Sequence, residues 1–229
     1  VSPGPVMASS NEFKITVHGK GCHAALPHNG IDPLLVACQM VQAFQTIISR
    51  NKKPIEAGVL SVTMIAAGEA TNVVPDHCVL QGTVRTFSLE LLDLIEQRMR
   101  TVCEHTAAAF GATATFEFHR NYPPTINSAA EAEFARSVML DLVGPQQVLA
   151  QEPTLGAEDF AYMLQAKPGA YAFIGNGDGA HRDGYGAGHD AGPCTLHNPR
   201  YDFNDELIAL GGSYWVELAR RWLARSDAR

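Results

Sequence analysis

EFKITVHG, residues 12–19, is the stretch on which the fold turns. Phe13, Ile15 and Val17 alternate with Glu12, Lys14 and Thr16, which lines one face of an extended strand with apolar side chains. Working outward, Asp32 and Pro33 open a helix as cap and first-turn proline. Leu34, Ala37, Cys38, Val41, Phe44 and Ile48 then recur at three- and four-residue steps, giving that helix one apolar face. Two β-rich stretches follow, GVLSVTMIAA (58–67) and HCVLQGTVRTF (77–87), joined by the turn-like GEATNVVPD. A second helix starts at Ser88, carries Leu91, Ile95, Met99, Val102, Thr106 and Phe110 on one stripe, and stops at Gly111. ATATFEFH (112–119) alternates again. The order β-α-β-β-α-β over residues 11–121 predicts a ferredoxin-like unit, a four-stranded antiparallel sheet with two helices on one face. Stretch 58–67 then lies at a sheet edge and is apolar on both faces. Such an edge invites pairing, so the unit is expected to dimerise through it or the adjoining helix.

The remainder reads differently. Residues 128–143 are expected to be helical, and GAEDFAYMLQ (156–165) to form a short helix. GAYAFIG (169–175) reads as a strand, 176–193 as a Gly-rich loop, and 204–223 as a helix burying Leu207, Tyr214, Trp215, Leu218 and Trp222. One strand and a few helices do not close a layered domain, so this piece is expected to be half of one, its other half preceding Val1.

Hydrophobic residues make up 46% and charged residues 18% of the 229, which suits substantial cores and argues against disorder. A net charge of −7 argues against nucleic acid, whose phosphates demand clustered Lys and Arg. No apolar run approaches the ~18 residues of a membrane span. Five cysteines without a CxxC pair, two of them on apolar helix faces, predict reduced thiols and a cytoplasmic protein.

Three groups of residues have chemical potential. His23 sits in GKGCHAALPH, where Gly19 and Gly21 permit tight turns. It would either donate a hydrogen bond to a developing oxyanion or bond its own backbone. Arg85 lies inside an apolar strand, where a guanidinium calls for a carboxylate, and Asn72 lies in the turn before that strand. They are either a substrate-holding pair or an ion-paired arginine and a turn-forming asparagine. His181, His189, Cys194 and His197 cluster within 17 residues. They read either as a loop zinc site in a small-molecule-sensing domain or as loop residues with His197 as a single ligand.

Five stretches together resemble the metal-dependent amidohydrolases and peptidases that include hippurate hydrolase, aminoacylase and carboxypeptidase G. They are ITVHGKGCHAALPHNGIDP, GEATNVVPD, GTVRTF, GAEDFAYM and LHNPRYDFND, spread in order over nearly the whole chain. The nearest likeness is to the hippurate hydrolase and N-acyl-L-amino acid amidohydrolase branch. The resemblance implies an α+β and α/β protein in three parts. Residues 1–10 would end the first half of a catalytic domain, 11–121 form a ferredoxin-like lid and dimerisation domain, and 122–229 supply the catalytic domain's second half. It implies amide hydrolysis of N-acyl amino acids assisted by two divalent metal ions (zinc, manganese, cobalt or nickel) in a homodimer. His23 would polarise the scissile carbonyl in the partner's active site, and Asn72 and Arg85 would hold the substrate. Gly156 and Glu158 would border the site, and His197 would be the last metal ligand. The other ligands and a proton-shuttling glutamate would precede Val1, so this chain alone would neither hold the metals nor catalyse. The alternative is a non-catalytic dimerisation or binding module. Cys22 stands where the family has a second glycine before the lid histidine.

Overall fold

The computed structural model describes residues 1–177, 196–199 and 201–226. His181, His189 and Cys194 of the suggested zinc loop lie outside them. The described chain divides into two compact units. One comprises Gly4–Asn127 with Glu152–Gly169, the other Val1–Pro3 with Ser128–Gln151 and the described part of Ala170–Arg229.

The first unit has the expected order. β1 (Gly4–Met7) leads into β2 (Ser10–His18), then the two-residue β3 (Cys22–His23) and α1 (Pro33–Thr46). After α1 come β4 (Gly58–Ala66), another two-residue strand β5 (Val73–Val74), and β6 (His77–Thr86). α2 (Leu89–Ala109), β7 (Thr113–Tyr122) and β8 (Thr125–Asn127) complete it. Four strands join in the antiparallel order β4-β6-β2-β7, which is the ferredoxin-like arrangement with β4 at an edge. Asp32 caps α1 by accepting from the Leu34 amide at 2.9 Å, and Ser88 caps α2 by accepting from Leu91 at 3.2 Å. Gly111, at φ 72°, turns the chain off α2 in the left-handed conformation that glycine allows.

Phe13, Ile15 and Val17 are buried under both helices as the alternation predicts, together with Leu80 and Val84 from β6. Phe13 meets Phe44 of α1 edge-on with centroids 6.4 Å apart. The buried face of α1 differs from expectation. Val36, Ala37, Met40 and Phe44 face the sheet, while Leu34, Leu35 and Cys38 are exposed. This helix is apolar on nearly every side, so periodicity alone cannot choose the stripe. The surplus stripe adjoins the free edge of β4, where Cys38, Val41, Val62, Met64 and Ile65 line an open apolar groove. On α2 the buried set runs through Leu91, Leu92, Ile95, Met99, Cys103 and Ala107.

Around this sheet, β1 pairs antiparallel with β8, and Met7 makes a parallel bridge to Thr154. Where β1 passes into β2, Ser9, Asn11 and Thr86 form a buried hydrogen-bonded cluster. Ser9 Oγ lies 3.0 Å from Thr86 Oγ1, and Asn11 Nδ2 donates to Ser9 Oγ at 2.9 Å and to the Val84 carbonyl at 3.0 Å. α4 (Phe160–Ala166) belongs to this unit.

In the second unit, α3 (Ala129–Val143) and α5 (Leu207–Ser226) pack together. Arg221 pairs with Asp141, Phe134 meets Trp222 at 5.4 Å, and the Arg225 guanidinium lies 4.1 Å over the Phe134 ring. Residues 169–175 do not form the expected strand, because a strand needs a ladder partner and none of the described sheets supplies one. Nor does α5 bury its aromatic face as expected. Trp215 is 66% exposed and Trp222 51%, since α3 covers only part of that surface among the described residues.

Candidate active site

The loop carrying His23 is built by close backbone approach. Lys20 and Ile31 exchange hydrogen bonds, both at 2.9 Å, which clasps the two ends of the loop together. A Cβ on Gly19 would stand 2.3 Å from the Ile31 carbonyl oxygen, and one on Gly30 would stand 2.5 Å from the Lys20 oxygen and 2.6 Å from Cys22 Sγ. Only glycine fits at either position. Inside the clasp, β3 pairs with β5, setting Cys22 opposite Val74 and His23 opposite Val73. The Ala24 amide donates to the Asn72 carbonyl at 2.9 Å, and the Gly19 amide to the Asp76 carbonyl at 2.8 Å. His23 and Asn72, 49 positions apart in the chain, thus sit on one locked two-layered loop. The Asp76 carboxyl, at the foot of the turn, is held below its ordinary value by its hydrogen bond and charge contact with His77.

His23 is exposed, and its Nδ1 accepts a hydrogen bond from the Ala25 amide at 3.0 Å. The backbone bond considered from the sequence is therefore present, and it serves the other reading as well. An imidazole nitrogen that accepts from an N–H carries no proton, so the ring proton sits on Nε2. His23 thereby presents Nε2–H outward as a fixed donor.

Arg85 is the penultimate residue of β6, opposite Val59 on β4, and is half-buried. No carboxylate among the described residues pairs with it. The nine described ion pairs fall on other cations. Among the described residues Arg85 therefore has no structural ion pair. Asn72 and Arg85 do not meet either. From His77 to Arg85 is roughly 26 Å at a strand's rise of about 3.3 Å per residue, and Asn72 lies beyond the His77 end.

Gly156 and Glu158 precede α4. The Ala8 amide donates to the carbonyls of Thr154 and Gly156 at 3.1 and 2.9 Å, and Thr154 donates back to Val6 at 3.0 Å. A Cβ on Gly156 would lie 3.2 Å from Met7 Cε. Glu158 is half-buried, its carbonyl accepting from the Ala161 amide.

A peptidase dimerisation domain model matches residues 9–110. The chain is 38% identical over 224 residues to an N-acetyl-L-cysteine deacetylase of Bacillus subtilis, covering 98% of this chain and 50% of that protein. It is 32% identical over 221 residues to the hippurate hydrolase of Campylobacter jejuni, covering 96% of this chain and 54% of the relative. Among solved structures, a Bacillus subtilis dinuclear metal-binding peptidase of the M20 family superposes with a TM-score of 0.75 at 28% identity, over 96% of this chain and 51% of that one. Residues 9–110 are a dimerisation domain of the M20 peptidase type. The chain spans about half the length of the relatives it matches.

Outside the matched domain, His197 lies in the second unit, exposed, with φ 69°. A left-handed backbone is uncommon for a residue with a side chain, and such outliers concentrate at functional sites. The implied two-metal centre does not fit the described residues alone, for no group of three or more His, Cys, Asp or Glu among them is placed to hold an ion. No helix among them is long and apolar enough to cross a membrane. Sequence reading missed the buried Ser9–Asn11–Thr86 cluster, whose signal is the SSN tripeptide at 9–11, polar yet abutting an apolar strand. It also missed the clasp between Lys20 and Ile31, which glycines at 19 and 30 frame.

Proposed function

We propose that the full-length protein is a metal-dependent amidohydrolase that cleaves the amide bond of N-acyl amino acids, hippurate-like compounds among them, as a homodimer joined through its lid. In the proposed division, residues 11–121 are the lid, 1–10 end the first half of the catalytic domain and 122–229 form its second half. The observation that carries the proposal is the His23 ring, locked by the Ala25 amide with Nε2–H facing outward. A fixed neutral donor is what a developing oxyanion requires, because it need not reorganise as charge builds. Arg85 supports the same reading. Its guanidinium has no carboxylate partner among the described residues and offers a fork suited to the free carboxylate of the amino acid. Asn72 orients the acyl amide from the loop that carries His23, and Gly156 and Glu158 border the substrate.

Geometry also favours two protomers at each site. One small substrate cannot touch both ends of a strand, so Arg85 would act in its own protomer's site while His23 and Asn72 enter the partner's. The surplus apolar stripe of α1 beside the free β4 edge is the surface proposed to join them. His197 is proposed as one metal ligand. The remaining ligands for two divalent ions would come from outside the described residues, so the chain by itself is not expected to turn over substrate.

The test is hydrolysis of a panel of N-acetyl and N-benzoyl amino acids by the full-length protein with added zinc, manganese, cobalt or nickel. Variants His23→Ala and Arg85→Met, each strongly impaired alone at substrate concentrations well below the raised KM of the arginine variant, are then refolded together and assayed at those concentrations. Random pairing in a two-fold dimer should restore about a quarter of the activity. No turnover of any N-acyl amino acid by a dimer with metal bound would leave the non-catalytic binding module. Turnover without complementation would place His23 and Arg85 in the same protomer's site.

A further inference from the structure

Tyr162 holds α4 against the strand through which the chain leaves the ferredoxin-like sheet. Its hydroxyl donates to the Asn121 carbonyl near the end of β7, and its ring meets Tyr122 edge-on, centroids 6.2 Å apart at 80°. At the other end of the same arm, Thr154 and Gly156 are bonded to Val6 and Ala8, the residues through which the chain enters that sheet. Residues 152–169 accordingly belong to the compact unit of the lid strands, although residues 128–151 separate them from β8 along the chain.

The arm between these two anchor points carries Gly156 and Glu158. α4 has seven residues, too short to hold its own position in water, and only Ala161 of it is fully buried. Its placement rests on the buried Ala161, on packing against β8 and on the Tyr162 contact, the last being its side-chain tie to β7. We propose that Tyr162 is a positioning residue, which sets Gly156 and Glu158 at the substrate by tying their segment to the exit of β7. The arm then follows the lid's connecting strands. This rests on the reading that Gly156 and Glu158 border an N-acyl amino acid.

The test uses the full-length, metal-loaded protein. Tyr162→Phe keeps the ring contact and removes the donor, whereas Tyr162→Leu removes both. Tyr162→Phe should raise KM for the best N-acyl amino acid about fivefold, the factor one lost hydrogen bond gives, with kcat within about twofold. Tyr162→Leu should raise it further, and amide exchange over 156–166 should quicken in the same order. A KM unmoved in both variants would overturn the proposal, including the case where exchange quickens, since the contact would then be structural only. Glu158→Gln separates the two failures. If it alters KM while the Tyr162 variants do not, the clasp is wrong; if it alters nothing, the placement of substrate beside this segment is wrong.

Discussion

Replacing Arg85 with methionine separates a structural arginine from one held for a ligand. Methionine keeps an unbranched apolar stem of similar reach, so the packing of a half-buried side chain on β6 is largely retained. No carboxylate among the described residues would be stranded, because none pairs with Arg85. The usual penalty of about 3–5 kcal/mol for breaking a buried pair therefore does not arise. Stability should change by less than about 1 kcal/mol in urea titrations followed by circular dichroism. Binding should suffer differently. Hydrogen bonds to a charged partner are worth about 1.5–3 kcal/mol, so KM for an N-acyl amino acid should rise roughly 10- to 150-fold at 1.36 kcal/mol per decade. The decisive comparison is with the corresponding N-acyl amino acid amide, which lacks the free carboxylate. Wild type should prefer the acid strongly, and Arg85→Met should treat acid and amide nearly alike. A destabilisation above about 2 kcal/mol, or equal losses on both substrates, would refute the assignment of Arg85 to the substrate carboxylate.

Three other outcomes are expected. Ile65→Glu, on the exposed apolar stretch of β4, should convert a dimer to a monomer in light scattering and abolish hydrolysis while the monomer keeps its helical circular dichroism; a dimer that persists would move the interface elsewhere. Gly30→Ala should lower kcat at least tenfold, because its Cβ would press on the Lys20 carbonyl at 2.5 Å and open the clasp that presents His23; unchanged kcat would show that the loop yields at no cost. The Cys103 thiol is pushed up to about 12 by burial, so the folded state keeps its proton where the unfolded chain has lost it. Its stabilising effect is complete below pH 9 and is lost as pH rises from about 9 to about 12, a total on the order of 4 kcal/mol at 1.36 per unit. Cys103→Ala should flatten that alkaline limb in pH-dependent urea melts, and an unaltered limb would assign it to other groups.

The sheet was legible because its signal is redundant. Alternation at Phe13, Ile15 and Val17 and at Leu80 and Val84 specifies the same buried face, and a one-residue slip would expose all of it. The caps at Asp32 and Ser88 and the stop at Gly111 were equally plain, since each rests on one residue's local chemistry. α1 was harder. With Leu34, Leu35, Val36, Ala37, Cys38, Met40 and Val41 all apolar or nearly so, two stripes compete, and only the sheet beneath decides between Cys38 and Met40. Residues 169–175 failed for another reason: apolar content says that a segment could be a strand, whereas the ladder that makes it one belongs to its neighbours. Among the candidate site residues, His23, Asn72 and Arg85 stand out by type and setting. Their mutual placement does not, because it depends on strand register and on a backbone amide at Ala25 that carries no sequence signal.

That placement makes one consequence of the fold concrete. A ferredoxin-like sheet puts the β4–β6 turn at one end and the β6–α2 junction at the other, so side chains drawn from both ends cannot converge within a monomer. Asn72 and His23 share the first end through the Ala24–Asn72 hydrogen bond, and Arg85 holds the second. A two-fold axis along the free β4 edge offers a way out, since it can bring one protomer's turn toward its partner while each keeps its own arginine. Under the proposed function dimerisation would be a condition of catalysis rather than an aid to stability. Activity of the full-length protein should then fall on dilution in step with the dimer fraction, and a monomer as active per chain as the dimer would contradict it.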